Sequence, residues 1–377
     1  MKTYNTCRCC NNELMVPWLS LPPSPVANAL FHEPNYDRYP LDLIYCKNCN
    51  HIQLTSAPDP DGVFTEYRYK SGVSNFFVKH FKEYAETVSK QLPAGKMLEI
   101  GSNDGYLTQQ FKNLGWDATG VEPSEFLRQD HLDKGVPVIT GFFGTKLIED
   151  QGWENQFDLI CANNVLAHIP DTADVAKAIS VALKDDGFLV AECGDQIGII
   201  NGTNLDNVYH EHIDYYSPYS FSALFRKFGL IVVNVEQVNS HGISFRIVCQ
   251  KAKVIPTITK LPISMDLALE NIADTISKRQ SKMQELINGR NFYAYGAAAK
   301  AVTALYTLNL VQDNLIGVVD DNELKQNCYF PGTGIKITSP EELDKDALVV
   351  ITAWNVFEDI KAKLVARGHR GDIICMQ

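Results

Sequence analysis

Hydrophobic and polar positions alternate in two rhythms along this chain. Phe77, Phe81, Tyr84 and Val88 recur at three- and four-residue spacing, which predicts an amphipathic helix within YRYKSGVSNFFVKHFKEYAETVSKQL. Directly after it, KMLEIGSNDGYLTQQFKNLG reads as an apolar strand, a glycine-bearing turn and a helix, and ATGVEPS reads as a second strand ending in Glu122. Short apolar runs then predict strands in PVITGFF (137–143), FDLICANN (157–164), GFLVAECG (187–194), LIVVNVEQV and SFRIVCQKA. Their order suits a mostly parallel, doubly wound sheet. Past residue 255 a proline-containing linker and the helical segment SMDLALENIADTISKRQSKMQELI lead into a second α/β pattern: FYAYGAAAKAVTAL as strand, turn and helix, then strands in IGVVDD and ALVVITAW.

The first part of the chain lacks either rhythm. Prolines at 17, 22, 23, 25, 34 and 40 predict a loop-rich segment, and it carries Cys7-x2-Cys10 and Cys46-x2-Cys49. Two such knuckles can bring four thiolates to one ion, and four thiolates leave no open coordination position, so the spacing predicts a structural zinc site. Cys9 and His51 read as bystanders. The resulting division is a zinc-binding domain over 1–66, a cofactor-binding α/β domain over 67–254 and a second Rossmann-like α/β domain over 255–377.

Composition narrows the partners. A net charge of −11 over 377 residues, with no basic run, argues against nucleic acid, which requires a cationic face. No apolar signal core opens the chain and no stretch has the length of a membrane span, so a cytoplasmic protein without membrane contact is expected. Half of the ten cysteines lie in the first fifty residues, which favours a local metal site over a disulfide framework.

The first βαβ unit carries ligand chemistry. Gly101 and Gly105 are spaced G-x-x-x-G around Asn103 and Asp104, and an acid ending the second strand, Glu122, is placed to accept hydrogen bonds from ribose hydroxyls. The pyrophosphate fingerprint G-x-G-x-x-G is absent, so a ligand with ribose but no pyrophosphate fits, S-adenosylmethionine among them. A different cluster lies in NVYHEHIDYYS, where His210 and His212 flank Glu211 in a chain with nine histidines. Its spacing permits a metal, proton transfer or a structural role: in a strand the two rings share a face, in a helix they diverge.

Taken together, CRCC and CKNC, YRYKSGVS, LEIGSNDGYL, VEPS, ANNVLAHIPD, YHEHIDYYS, HGISFR, YGAAAKA and VVDDNELKQNCYFPGTGIKI resemble the three-domain sugar C-methyltransferases that act on nucleotide-linked keto-deoxysugars. The resemblance runs along nearly the whole chain. It implies S-adenosylmethionine and structural zinc as cofactors, and a nucleotide-linked 4-keto-deoxysugar methylated at its 3-carbon. A saturated carbon has no lone pair, so the substrate must lose a proton beside its carbonyl, which requires a base and donors for the oxyanion. By this resemblance His212 is the favoured base, with Glu211 orienting it or holding a sugar hydroxyl, Tyr209 donating to the oxyanion, and His168 the second candidate for proton transfer.

The same resemblance implies cofactor contacts from Gly101, Asn103, Gly105, Glu122, Asn163 and the segment around Phe143, and metal contacts from Cys7, Cys10, Cys46 and Cys49. Substrate contacts are expected from Tyr67, Tyr69, His241, Arg246, Lys300, Lys325 and Asn355, with the amides that open the GAAAKA helix receiving phosphate. One departure is His241-Gly242-Ile243-Ser244, where the family has two glycines after the histidine. A monomer or weak homodimer is expected. Competing readings are a sugar O-methyltransferase, a nicotinamide-dependent oxidoreductase built on the GAAAK unit, and a non-catalytic binding protein.

Overall fold

The computed structural model describes residues 1–13, 17–59, 70–73, 75–240, 242–252 and 265–376. In the N-terminal part, β1 (Lys2–Thr3), β2 (Leu19–Ser24), β3 (Tyr39–Tyr45), β4 (Ile52–Leu54) and β5 (Ser56–Ala57) are short antiparallel strands. The two cysteine knuckles are tight turns beside them. Asn11 and Asn50 adopt positive φ (63° and 58°) one residue after Cys10 and Cys49, as each chain reverses out of its knuckle.

The expected amphipathic helix forms over Asn75–Gln91. It buries Phe77, Phe81, Tyr84 and Val88 against Met97, Leu107, Phe111, Trp116, Leu159 and Val190. Each such apolar side chain contributes about 1.5–3 kcal/mol on full burial, which explains why a segment with an otherwise polar surface stays docked. Under it lie β6 (Lys96–Ile100), β7 (Asp117–Glu122), β8 (Val138–Thr140), β9 (Phe157–Asn163) and β10 (Leu183–Gly194), followed by β11 (Asp214–Tyr215), β12 (Leu230–Val238) and β13 (Ser244–Lys251).

Seven of these strands form one sheet in the order β12-β13-β10-β9-β6-β7-β8. All neighbours from β8 to β10 are parallel, and β13 enters antiparallel between β10 and β12. The chain order therefore reverses between β6 and β9, the place where an open α/β sheet leaves a crevice at its carboxyl edge. β8 is shorter than the run PVITGFF predicts, because Gly141 (φ 152°) breaks the strand and the two phenylalanines leave the sheet.

The last part repeats the scheme. β14 (Phe292–Tyr295), β15 (Leu315–Val319), β16 (Ile337–Thr338), β17 (Leu348–Ile351) and β18 (Ile373–Cys375) form an all-parallel sheet in the order β16-β15-β14-β17-β18. Long helix Met265–Ile287 precedes it and helix Ala299–Thr307 follows β14. The expected α/β architecture with two Rossmann-like sheets is what the chain forms. Among the described residues no helix is long and apolar enough to cross a membrane.

One arrangement could not be expected from the order of elements. β11, only two residues past the His-Glu-His turn, leaves the large sheet and pairs antiparallel with β4, completing the four-stranded sheet β11-β4-β3-β2. The N-terminal layer is thus closed by a strand from the middle of the chain, and the boundary expected at residue 66 does not contain it.

Candidate active site

The segment 208–213 is a turn, neither strand nor helix, and it is fixed at both ends. Before it, the single turn Leu205–Asn207 packs on helix Ala299–Thr307, and Thr303 Oγ1 donates to the Val208 carbonyl (2.8 Å). After it comes β11, and then Ser217 caps helix Pro218–Phe225 through a reciprocal bond with Ser220, with Pro218 at the first helical position.

In this turn the two histidines part company. His210 is fully buried, bonds the Pro40 carbonyl through Nε2 (3.1 Å) and meets the Tyr39 ring edge-on. Burial holds its pKa below the ordinary value, so it is a neutral ring in the N-terminal layer. His212 turns the other way. Its Nδ1 lies 2.8 Å from the Asn207 carbonyl, an acceptor only, so Nδ1 carries the hydrogen and Nε2 the lone pair. The Tyr209 hydroxyl donates to that Nε2 at 2.7 Å, with the two rings stacked 4.0 Å apart.

His168 meets this pair from the loop after β9. The His168 and His212 ring centroids are 4.6 Å apart, and His168 Nδ1 donates to the Glu211 carbonyl (2.8 Å). The ring keeps a partly exposed edge, yet burial of the rest pushes its pKa down to about 4. His168 thus presents a neutral ring near pH 7.

Glu211 does not orient His212. Its carboxylate is buried and accepts from the backbone amides of Asn28 (2.6 Å) and Ala27 (3.3 Å), so it fastens the turn to the N-terminal layer; the Asn207 carbonyl does the orienting. Desolvation raises the Glu211 pKa despite these amides. Since the two rings diverge, the shared-face metal reading of His210 and His212 fails as well. Among the described residues the group that can hold a metal is Cys7, Cys10, Cys46 and Cys49, whose sulfurs lie within 4.8 Å of one another. Four converging thiols suit tetrahedral zinc; Cys9 and His51 are outside the group.

The residues expected to hold the cofactor lie at the carboxyl edge of β6, β7 and β9. Gly101, Asn103 and Gly105 all take positive φ (65°, 50° and 75°), and a Cβ at Gly101 would come within 2.6 Å of Val165 Cγ2. Glu122 receives the Asn103 amide (2.8 Å) and the Ser124 amide (3.0 Å), and burial pushes its pKa up to about 7. The Asn103 side chain takes the Ser71 amide (2.9 Å), tying the loop to the segment before helix Asn75–Gln91. Asn163, at the end of β9, buries both polar side-chain atoms without a protein partner, and Thr140, opposite Glu122 in the β7–β8 register, buries an unpaired hydroxyl. Unmet donors and acceptors on strand ends at the same edge of the sheet as a buried acid fit S-adenosylmethionine. The sequence reading missed Thr140, although its place at a strand end level with Glu122 was available in VIT.

This acid yields a test. Ribose hydroxyls donate to the ionised form, so binding lowers the Glu122 pKa and releases a proton; affinity for S-adenosylhomocysteine falls as pH drops below about 7. Calorimetry across pH 5.5–8.5 should show that fall. Glu122→Gln should bind about tenfold or more weakly at pH 8 and lose the pH dependence. A variant that keeps both would remove Glu122 from the ribose site.

Other expected contacts are redistributed. Phe143 packs partly buried on the core of the seven-stranded sheet, leaving Phe142 exposed beside it. Arg246 pairs with Glu192 (2.7 and 2.8 Å) and Glu236 (2.7 Å) across the sheet, with its guanidinium over the Tyr84 ring, so its charge is compensated within the protein. Lys325 donates to the Ala297 carbonyl (3.0 Å) and lies 3.4 Å from Asp320, bracing the GAAAK loop. Asp320 also accepts the Ala297 amide (2.7 Å), as Glu122 accepts Asn103 in the first sheet. Lys300 lies over the Trp354 ring, and burial lowers its pKa. Tyr67, Tyr69 and His241 lie outside the described residues, as does the side chain of Asn355, which falls within the single turn Trp354–Val356.

Known proteins match the chain in three stretches. Residues 77–235 match the methyltransferase domain family, 268–376 the C-methyltransferase C-terminal domain family, and 7–64 a zinc binding domain family. C-methyltransferase NovU of Streptomyces niveus is 25% identical over 386 residues, covering 96% of this chain and 92% of that protein. Ubiquinone biosynthesis O-methyltransferase of Haemophilus ducreyi is 26% identical over 116 residues, 28% of this chain and 48% of that one. A solved Thermotoga maritima structure, described as a SAM-dependent methyltransferase and possible histamine N-methyltransferase, superposes with a TM-score of 0.37 at 22% identity, over 47% of this chain and 92% of its own.

Proposed function

Because this chain belongs to the S-adenosylmethionine-dependent C-methyltransferases with a zinc-binding and a C-terminal domain, we propose that its acceptor is the 3-carbon of a nucleotide-linked 4-keto-deoxysugar. The observation that carries this reading is the chain Asn207 carbonyl, His212 and Tyr209 hydroxyl, which leaves a basic imidazole nitrogen under a phenol. Oxygen acceptors need little help to lose a proton late in the reaction; a carbon acid needs a base held ready from the start.

The C3–H proton passes to His212 Nε2 once the Tyr209 hydroxyl turns from that nitrogen to the substrate, and the bond's electron pair spreads onto the C4 carbonyl oxygen. The Tyr209 hydroxyl, so turned, is the donor at hand to polarise that oxygen; the neutral His168 spends its one N–H on the Glu211 carbonyl and packs against the His212 ring. Bound S-adenosylmethionine supplies the methyl group as an electrophile on its sulfonium. Lys300 and the amides opening helix Ala299–Thr307 are the groups of the C-terminal domain suited to the nucleotide diphosphate, although Lys300 must surrender part of its stacking on Trp354 to reach it.

Incubation of the enzyme with methyl-labelled cofactor and a panel of nucleotide-linked 4-keto sugars should give one product whose label, by carbon NMR, resides on a methyl bonded to ring carbon. Label on oxygen would make it an O-methyltransferase and remove the requirement for a carbon base.

A further inference from the structure

We propose that Arg8, inside the first cysteine knuckle, is a positioning residue for the methyl-transfer site: its guanidinium clamps the loop of His168 to the turn of His212 and so fixes the pair. The assignment of His168 and His212 to the reaction rests on the function proposed above; the clamp itself is a matter of geometry.

Arg8 lies between Cys7 and Cys10 and reaches out of the N-terminal layer. Its Nε and Nη2 grip both oxygens of Asp214, at 2.8 and 3.0 Å, a parallel two-point contact with side chains 6% and 0% exposed. Nη1 donates to the Pro170 carbonyl at 2.7 Å, and Nη2 also donates to the Ile169 carbonyl. Asp214 stands two residues after His212; Ile169 and Pro170 are the first two residues after His168. One planar group therefore holds both histidine segments at a fixed spacing. Two further bonds run between those segments, Ile213 N to the Ala167 carbonyl (2.7 Å) and His168 Nδ1 to the Glu211 carbonyl.

Everything around Arg8 serves to aim it. Its amide is taken by Gln53 Oε1 (2.9 Å), its guanidinium stacks on Tyr4, and Asp214 is additionally bonded by His51 Nε2 (2.9 Å). The knuckle backbone is cross-tied by Cys7 N to Asn12 O and Asn11 N to Cys7 O, both 2.8 Å, between thiols that suit zinc. A lysine would keep the charge and lose the planar fork, since an ammonium cannot span two carboxylate oxygens and two carbonyls at once. The structural metal thus has a catalytic consequence: it holds the root of the clamp.

The test uses the full chain with Arg8→Lys and Arg8→Met. Four quantities are read: zinc by elemental mass spectrometry, S-adenosylhomocysteine affinity by calorimetry, NMR titration of the His168 and His212 rings, and kcat and KM with a 4-keto sugar. Zinc stays bound and cofactor affinity holds within about twofold, while kcat falls about 10²-fold or more in both variants with KM nearly unchanged, because misplacement of about 1 Å is enough for that loss. The His168 ring, held down by burial beside His212, should titrate near 4 in the parent protein and rise towards 6.5 once the pair loosens and admits water. Unchanged titration and kcat in zinc-loaded Arg8→Lys overturn the proposal. So does parallel loss of zinc, cofactor affinity and activity in both variants, which would leave Arg8 a general structural brace. The titration needs no sugar, so it decides the clamp even if no 4-keto sugar is accepted.

Discussion

His212→Gln is expected to lower kcat by about 10²–10⁴-fold, the usual range for losing a general base, with cofactor affinity unchanged. Glutamine can still donate to the Asn207 carbonyl and accept from Tyr209, so the turn keeps its shape while the base disappears. A sharper reading comes from proton exchange at the substrate carbon beside the ketone, followed in deuterated buffer with S-adenosylhomocysteine in place of the methyl donor. In the parent protein exchange should run ahead of any methylation; in His212→Gln it should stop. Exchange at the parental rate would take the base away from His212, and His168, 4.6 Å away, would be the next group to replace.

The second large effect follows from metal removal. Cys49→Ser leaves three thiols where four converge, and the expected result is loss of stoichiometric zinc and of methyl transfer together, with cooperative melting of the N-terminal layer well below that of the parent. Its strands are short and its loops proline-rich, with a small core of Leu21, Leu41, Leu43, Ile52 and Leu54, so the metal supplies much of what holds them; structural zinc contributes on the order of 10 kcal/mol or more in small domains. The knuckle cysteines pack into the core on one face of the seven-stranded sheet, but the core under helix Asn75–Gln91 does not include them, so the sheet should survive and circular dichroism would retain most of its α/β signal. Activity would still be lost: β11 pairs with β4, Glu211 is held by Ala27 and Asn28, and Asp214 by Arg8. A zinc-free variant with full activity would break the link between that layer and the turn.

Much of the protein was legible along its sequence because its physical causes are local. The helix through Phe77 and Val88 was announced by its own spacing, and the strands ending at Glu122 and Asn163 by apolar runs that stop at a polar residue. Knuckle spacing gave the metal group directly, since two residues between cysteines suffice to aim both sulfurs at one point.

Residue type within a motif could not set the surroundings of Glu211, Arg246 and His210, because what a carboxylate, guanidinium or imidazole does depends on what faces it. Glu211 faces two amides from residues 27 and 28, Arg246 faces carboxylates on adjacent strands, and His210 faces the Pro40 carbonyl. All three sets of partners are remote in sequence except Glu236, ten residues from Arg246.

The sequence by itself determined the elements, the cysteine group, the glycine-bearing loop with its acid, and the stretch that gathers the histidines. Tertiary structure decided which nitrogen of His212 carries the lone pair, which of two adjacent acids and histidines is a brace, and how a knuckle at residue 8 reaches a turn more than two hundred residues later. The reason is physical: propensity and periodicity act over a few residues and survive in the linear pattern. Hydrogen-bond partners and burial are set across the fold, and only they fix a tautomer, shift a pKa or bring Arg8 onto Asp214.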